Sequence, residues 1–240
     1  MRVLVVTAVP AEADAVVAGL SADGPSPARS LPGGLTLRPC AGAGVTVDVL
    51  AGGVGPAAAA AATASALTAS VTATATGPAY DLVVSAGIGG GFAATAPLGS
   101  LVVADAIVAA DLGAQTPDGH LAVEQLGFGR SAHVPAPLSE RIAKTLDAVH
   151  GPVLTVSTVT GTASRAAELT ARHPGAAAEA MEGFGVAEAA TAHGVPVVEI
   201  RAVSNAVGPR DRAAWRIGEA LDALRNAFRL LSPVLEEEAR

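Results

Sequence analysis

The 240-residue chain is poor in cysteine, in aromatic side chains and in positive charge. Its one cysteine, Cys40, cannot form an intramolecular disulfide, so folding does not depend on an oxidising compartment and we expect a cytoplasmic protein. Fifteen Lys and Arg stand against 22 Asp and Glu, and no basic cluster or aromatic ladder offsets the formal charge of −7. We therefore expect no nucleic-acid partner and favour a small molecule.

Long apolar runs are also lacking, although 50% of the residues are hydrophobic. The interval between Asp48 and Asp81 carries no charge, but it consists mainly of Ala, Thr, Ser and Gly, which do not favour hydrocarbon. The apolar run from Val3 to Val9 is too short, and too soon followed by Glu12, for a signal peptide. We therefore expect no membrane partner.

Short runs rich in Val and Ile recur along the chain and predict strands that are covered on both faces. These runs begin at Arg2, Val45, Asp81, Gly99, Gly151 and Val195. Helices are predicted between and after them, at Ala11 to Leu20, Pro56 to about Ala73, Leu138 to Val149, Ser164 to His173, Met181 to His193 and Ala213 to about Leu235. The alternation predicts an α/β fold in a single domain of residues 1–240, with a mostly parallel or mixed central sheet flanked by helices.

Two stretches have the composition of surface excursions, Ser21 to Gly34 and the segment that begins at Thr116. Trp215, the only tryptophan, falls just inside the last predicted helix, and we expect it in the core.

Three polar residues stand at transitions between predicted strands and helices. Glu12 follows the first strand, Glu182 begins the helix in "MEGFGVAEAA", and Asn205 follows the last strand. Because ligands of parallel sheets bind beyond the carboxyl ends of the strands, these residues form one candidate site. Carboxylates are also common in first turns of helices, and Asn is common in turns, so purely structural roles stay open.

The glycines and histidines give weaker signals. "GVGPAA", from Gly53, matches a dinucleotide fingerprint but lacks the acid that should follow about twenty residues later. "SAGIGGG", from Ser85, lets the backbone approach a ligand closely and is equally compatible with a tight turn. The five histidines have no metal-ligand spacing, so we expect neither a metal nor another cofactor.

Five segments carry a family resemblance: the early Glu12, "AGGVGPAAAAAATA", "SAGIGGG", "AMEGFGVA" and "EIRAVSNAVG". They follow in order over nearly the whole chain and resemble the nucleoside phosphorylase and methylthioadenosine nucleosidase superfamily. Within it, "AMEGFGVA" and "IRAVSNAVGPRDRAAW" are similar to the futalosine hydrolases, which remove hypoxanthine from futalosine in an alternative menaquinone pathway. The resemblance implies the nucleoside phosphorylase fold, a nucleoside substrate and a homodimer or larger homo-oligomer.

The resemblance also implies roles for single residues. Glu12 would activate the attacking water, Glu182 with Met181 would bind the ribose, and Asn205 would contact the base. The other implied substrate-binding positions are Gly53, Ser85, Ala86, Gly87, Ile88, Thr160 and Phe184. The phosphorylases of the superfamily hold phosphate through an arginine and a serine at the third strand end, where this chain has Ser85 and Ile88. Water is therefore the expected nucleophile.

Asn205 stands where the methylthioadenosine branch has an aspartate that donates a proton toward N7 of adenine. The NH₂ group of an amide can donate to N7 and to the 6-oxo group of hypoxanthine. In adenine the 6-position carries an amino group, which is also a donor, so the two groups could not form a hydrogen bond. A buried donor left unpaired costs about 1–3 kcal/mol, so the amide predicts selection of hypoxanthine.

Two arginines follow that amide closely. Arg210 and Arg212, with Asp211 between them, lie where a lid or partner subunit would meet the substrate tail. The tail of futalosine carries a benzoate, which one of these arginines could bind. Arg201 is expected instead to pair inside the fold.

Other functions remain open at this point. The same superfamily contains purine nucleoside phosphorylases and methylthioadenosine or aminofutalosine nucleosidases, which phosphate dependence or adenine release would reveal. A nucleotide-cofactor oxidoreductase would explain the glycines but not the three polar residues at the strand ends. A non-catalytic nucleoside sensor would bind without turnover.

Overall fold

The computed structural model describes residues 1–20, 27–41, 45–73 and 80–238. Its elements are β1 (Arg2–Thr7), α1 (Pro10–Leu20), β2 (Arg29–Ser30), β3 (Thr36–Ala41), β4 (Thr46–Ala51), α2 (Pro56–Ala73), β5 (Leu82–Gly91), β6 (Leu101–Ala109), β7 (Gly113–Thr116), β8 (Gly119–Ala122), β9 (Ala132–His133), α3 (Leu138–Thr145), β10 (Val149–Thr155), α4 (Ala163–Arg172), β11 (Ala178–Ala180), α5 (Gly183–Ala192), β12 (Val197–Ala206) and α6 (Ile217–Glu238). Short 3-10 turns occupy Pro32–Gly34 and Arg212–Ala214.

Ten of the described strands form one mixed sheet in the order β11-β10-β6-β12-β5-β1-β4-β3-β2, with β9 beside β6. Strands β1, β4, β5 and β12 are parallel, whereas β6 runs antiparallel to β12. Because β11 pairs with both β10 and β5, the strands β5, β12, β6, β10 and β11 close into a ring. The predicted α/β class with a mixed central sheet flanked by helices is confirmed.

The central strands are hydrophobic because helices cover both faces of the sheet. In β5 every residue except Ile88 is buried, and the first eight residues of β12 are buried. Helices α1, α3 and α6 pack on one face, and α2 and α5 pack on the other. None of the described helices combines the length and apolar character needed to cross a bilayer.

Several predicted helix boundaries are wrong in detail. The helix predicted to end at Val149 ends at Thr145, because Asp147 adopts a left-handed φ of 49° and Val149 already begins β10. The last helix begins at Ile217, after a 3-10 turn that occupies the predicted start. The helix predicted from Met181 begins at Gly183.

Some predicted loops contain strands. The segment from Thr116 includes β8, which pairs with β7 in a short, partly exposed hairpin without a Val/Ile run. In the predicted loop Ser21 to Gly34, residues 21–26 lie outside the described part of the chain, and the remainder contains β2 and a 3-10 turn. The core placement of Trp215 is wrong, because this residue is only partly buried and precedes α6.

Candidate active site

The end of β1 and the first turn of α1 place Glu12 beside the glycine-rich strand β5. The Glu12 side chain is buried, at 3% exposure. Its Oε2 accepts hydrogen bonds from the backbone N–H groups of Ala8 (2.9 Å) and Val9 (3.2 Å). Its Oε1 accepts from the N–H of Ile88 (2.9 Å). Three backbone donors therefore fix this carboxylate at the end of two parallel strands.

Gly87 provides the space into which two charged groups converge. A Cβ at this position would lie 2.7 Å from Glu12 Oε1 and 2.8 Å from Arg201 Nη1. A side chain here would therefore displace the carboxylate, the guanidinium or both. Ala86 and Ile88, the neighbouring residues of β5, pack into the apolar layer beneath α1 and α6.

Arg201, on β12, is the buried cation of this region. Its Nε donates to Glu199 Oε1 (2.9 Å), its Nη1 to Glu182 Oε2 (3.2 Å) and its Nη2 to Ser85 Oγ (3.1 Å). Burial lowers the Arg201 pKa, but the facing carboxylates outweigh that effect and raise it. The expectation that Arg201 pairs inside the fold is confirmed.

Glu182 stands at the amino-terminal end of α5 and is buried. Its Oε1 accepts from the N–H of Gly55 (3.2 Å), and its Oε2 accepts from the N–H of Met181 (3.3 Å) in addition to Arg201. Met181 is partly exposed beside it. The carboxylate is thus held by two backbone donors and one guanidinium, in an orientation set by the fold.

The segment that resembles a dinucleotide fingerprint forms a turn that joins the parts of this site. The Gly53 N–H donates to the carbonyl of Ala8 (3.0 Å), and Gly55 binds Glu182. Both glycines have positive φ, 97° and 94°, which L side chains rarely adopt. The glycines therefore serve a tight backbone path between β4 and α2.

Glu199 was not identified from the sequence. It supports the site by accepting a hydrogen bond from Arg201. It is fully buried against Gly183, where a Cβ would overlap its carboxylate. Burial raises its pKa, and its Oε2 has no hydrogen-bond partner in the described part of the chain. The available signal was an acid in the apolar run "VVEIRAV", two residues from Arg201 and hence on the same face of the strand.

Asn205 lies inside β12 rather than after it, at the position before the last residue. The pairing with β5 shifts register between Val203 and Asn205. Its Oδ1 accepts from the Ser204 hydroxyl (2.9 Å), and its Nδ2 donates to the carbonyl of Ala206 (3.0 Å). Nδ2 also lies 3.1 Å from the position of a Cβ on Gly90. Among the described residues the amide is therefore bonded only to its chain neighbours, at the end of the β5–β12 pair.

Thr160 lies in the turn between β10 and α4 and is tied to Glu179, a second acid that sequence reasoning missed. Its N–H donates to Glu179 Oε1 (2.8 Å), and its hydroxyl donates to Oε2. Burial raises the pKa of Glu179, and the bonds from Thr160 oppose that rise. Because the Glu179 carbonyl lies against Gly89, this turn sits near the end of β5.

Two of the predicted substrate-binding side chains point into the protein. Phe184 packs on the ring of His133, with 5.1 Å between ring centroids, and its N–H donates to Thr155 Oγ1 (2.9 Å). Ser85 is fully buried and accepts the hydrogen bond from Arg201. A direct contact of either side chain with substrate stays a prediction.

The arrangement has the chemistry of a glycosyl-transferring site. Two fixed carboxylates, Glu12 and Glu182, can stabilise the positive charge of an oxocarbenium-like sugar, and a carboxylate can also order a water molecule. An amide such as Asn205 can bind the edge of a heterocyclic base. In the described ranges, no group of three His, Cys, Asp or Glu side chains is placed to hold a metal ion.

Several solved structures with the same fold are nucleosidases. The chain superposes on the 5′-methylthioadenosine/S-adenosylhomocysteine nucleosidase of Colwellia psychrerythraea, solved with adenine, with a TM-score of 0.76, 24% identity and coverage of 98% of this chain and 94% of the other. The corresponding enzyme of Streptococcus pneumoniae, solved with a transition-state inhibitor, gives a TM-score of 0.78 at 20% identity, with coverage of 98% and 99%. At sequence identities of 24% and 20%, this structural similarity establishes the fold alone.

The sequence comparison finds relatives of much higher identity than the structural comparison does. The futalosine hydrolase of Streptomyces coelicolor is 63% identical over 237 residues, covering 98% of this chain and 97% of the relative. The futalosine hydrolase of Acidothermus cellulolyticus is 47% identical, covering 95% and 89%. The family model of the phosphorylase superfamily matches residues 2–236. This chain therefore belongs to the phosphorylase superfamily.

Proposed function

We propose that this protein is a futalosine hydrolase, an N-glycosyl hydrolase that needs no cofactor. It cleaves futalosine with water and releases hypoxanthine and dehypoxanthine futalosine, a step of menaquinone biosynthesis. The observation that carries the proposal is that the buried carboxylates of Glu12 and Glu182 both lie near Nη1 of Arg201, with the amide of Asn205 at the adjacent strand end. The two similar futalosine hydrolases support the choice of substrate.

In the proposed reaction, water attacks the anomeric carbon as the bond to the base breaks. Glu12 orients this water and takes up its proton, while Glu182 accepts hydrogen bonds from the ribose hydroxyls beside Met181. Arg201 balances the charge of the carboxylates and holds Glu182 in position. Asn205 donates to N7 and the 6-oxo group, which stabilises the departing hypoxanthine anion.

Two contacts support water rather than phosphate as the nucleophile. The Ile88 N–H already donates to Glu12, and the Ser85 hydroxyl is buried against Arg201. Neither group is therefore directed at a bound phosphate dianion, which would need several donors to replace its hydration. We propose that the remaining predicted binding positions, Gly53, Ala86, Gly87, Thr160 and Phe184, border the pocket chiefly through their backbone, since the side chains of Ala86 and Phe184 pack inside the protein.

We extend the proposal to the whole molecule: residues 1–240 are one nucleosidase domain, assembled into a homodimer or larger homo-oligomer in the cytoplasm. Two apolar side chains near β9 support an association surface, because Phe128 is 77% exposed and Val134 is 88% exposed. Sedimentation velocity should give a mass of at least twice 23.4 kDa. A monomer at micromolar concentration would contradict this part.

Substrate selection is tested by incubating the purified protein with futalosine, aminofutalosine, inosine and methylthioadenosine in parallel and separating the released bases by chromatography. We expect hypoxanthine from futalosine and no comparable adenine release from the two amino substrates. Preferential adenine release would indicate a methylthioadenosine or aminofutalosine nucleosidase. Binding without release of any base would indicate a sensor.

A further inference from the structure

The loop of residues 207–215 begins and ends beside the candidate active site. At its start, the Val207 N–H donates to the carbonyl of Gly91 at the end of β5 (2.8 Å). After its end, the Arg216 N–H donates to the carbonyl of Ser204 on β12 (2.7 Å). The loop is therefore closed onto the two strands whose ends form the site, and residue 215 lies next to the residues that flank the base-reading amide.

A second contact ties the loop to the opposite wall. The Arg210 N–H donates to the carbonyl of Gly161 (3.2 Å), the residue that follows Thr160. The loop thus bridges the end of β12 and the turn after β10. A substrate that extends beyond the nucleoside in this direction would contact the loop.

The loop carries an aromatic ring between two cations. The guanidinium carbons of Arg210 and Arg212 lie 5.9 Å and 5.8 Å from the centroid of the Trp215 ring. Both arginines are exposed and the indole is partly buried. The nearest acid in sequence, Asp211, uses its carboxylate to cap the 3-10 turn through the Ala213 N–H.

Neither arginine of this cluster forms a salt bridge with a carboxylate in the part of the chain that the structure describes. The next arginines along the chain do form such pairs, Arg216 with Glu219 and Arg225 with Asp222. Two unneutralised guanidinium groups on a protein of formal charge −7 form a local positive site that attracts anions.

We propose that Arg210, Trp215 and Arg212 form the subsite for the substrate tail and that this subsite recognises an aromatic carboxylate. A guanidinium binds a carboxylate through paired hydrogen bonds, and an indole stacks on an aryl ring. The inference rests on the proposed function, because the benzoate of futalosine is the tail of this chemistry. Through this subsite, the loop distinguishes futalosine from inosine, which has no tail.

The kinetic test compares Arg210→Ala and Arg212→Ala with the wild type, and uses Arg225→Ala on α6 as the matched exposed control. We expect each loop variant to raise the KM for futalosine about tenfold, since a charge-assisted hydrogen bond is lost, with little change in kcat. The inhibition constant of inosine should stay unchanged in all variants. Unchanged KM values for futalosine, or an equal weakening of futalosine and inosine binding, would overturn the subsite.

Fluorescence gives a readout that does not need turnover, because Trp215 is the only tryptophan. In a Glu12→Gln background, saturating futalosine should change the emission, inosine should not, and the double variant Arg210→Ala/Arg212→Ala should abolish the response. No emission change with a wild-type protein that does cleave futalosine would refute the subsite alone. Absence of both cleavage and emission change would refute the proposed function and the subsite together.

Discussion

Arg201 is surrounded by three buried carboxylates, those of Glu12, Glu182 and Glu199, and all three raise its pKa. Burial at the same time raises the pKa of Glu199 and moves it toward its neutral form. The guanidinium donates to Glu182 as well as to Glu199, whereas backbone N–H groups hold Glu12, so both carboxylates that face the proposed substrate have fixed partners. Their positions are thus fixed before substrate binds, as electrostatic stabilisation of a transition state requires.

Glu12 and Glu182 are predicted to differ in how their loss affects turnover. Glu12→Gln removes the group that takes the proton from water, so kcat for futalosine should fall by about 10²–10⁴ with little change in KM. Glu182→Gln should raise KM as well, because a ribose contact is weakened. Steady-state kinetics measure both, with the exposed Glu219→Gln as control. Near-normal kcat for Glu12→Gln would contradict its role.

Asn205→Asp tests the base-reading role. The carboxyl group can accept from an adenine amino group, so this variant should gain activity on aminofutalosine relative to futalosine, by about ten- to hundredfold in the ratio of kcat/KM values. Asn226→Asp, at the other asparagine of the chain, is the matched control. An unchanged ratio would leave Asn205 as a structural residue of the strand end.

The sequence pattern located some of these residues and missed others for a physical reason. Glu12, Glu182 and Asn205 were identified because a polar residue at a strand or helix end breaks an apolar pattern where sheets bind ligands. Glu199 and Glu179 lie inside strands, where their burial and partners depend on strand pairing that the sequence does not specify.

At the scale of elements, the close approach of α2 and α5 sets the position of Glu182. A Cβ on Gly185 would overlap the backbone carbonyl of Pro56, so only a glycine fits at this point of the contact. The long Val/Ile strands and all six α-helices of the described residues were predicted from the sequence pattern. The short or partly polar strands β2, β3, β7, β8, β9 and β11 were not, since they lack such a run and are stabilised by their neighbours.

Gly185→Ala should lower the free energy of unfolding by about 1–3 kcal/mol, because the added methyl group forces α5 away from α2. Gly218→Ala, near the start of α6, is the control: a Cβ there meets nothing within 4 Å, and reduced backbone freedom should leave stability equal or slightly higher. Urea denaturation of the two variants measures the contrast. Equal effects would contradict the tight helix contact.

At the scale of the whole molecule, buried acids link stability to pH. Burial raises the pKa of Glu179 above its ordinary value of 4.5, so the folded protein favours the protonated form. The ionisation of this group therefore costs stability progressively as pH rises above 4.5. Glu168 has the opposite sign, because its hydrogen bond from Arg165 lowers its pKa, and its contribution is lost as pH falls below 4.5.

The unfolding free energy of Glu179→Gln, measured relative to that of wild type, should therefore increase as pH rises from 4.5.

The unfolding free energy of Glu168→Gln, again relative to wild type, should decrease as pH rises to 4.5 and then level off. The change should be small because the Glu168 side chain is exposed. Denaturant titrations from about pH 2.5 to pH 8 measure both. Parallel pH profiles for wild type and Glu179→Gln would contradict the raised pKa.

In the proposed reaction, water held by Glu12 cleaves futalosine at this site. The most direct test measures the initial rate of hypoxanthine release at zero and saturating phosphate and identifies the sugar product by mass spectrometry. We expect equal amounts of hypoxanthine and unphosphorylated dehypoxanthine futalosine, at a rate that phosphate does not change. A phosphate requirement with a sugar 1-phosphate product, or no hypoxanthine at all, would contradict it.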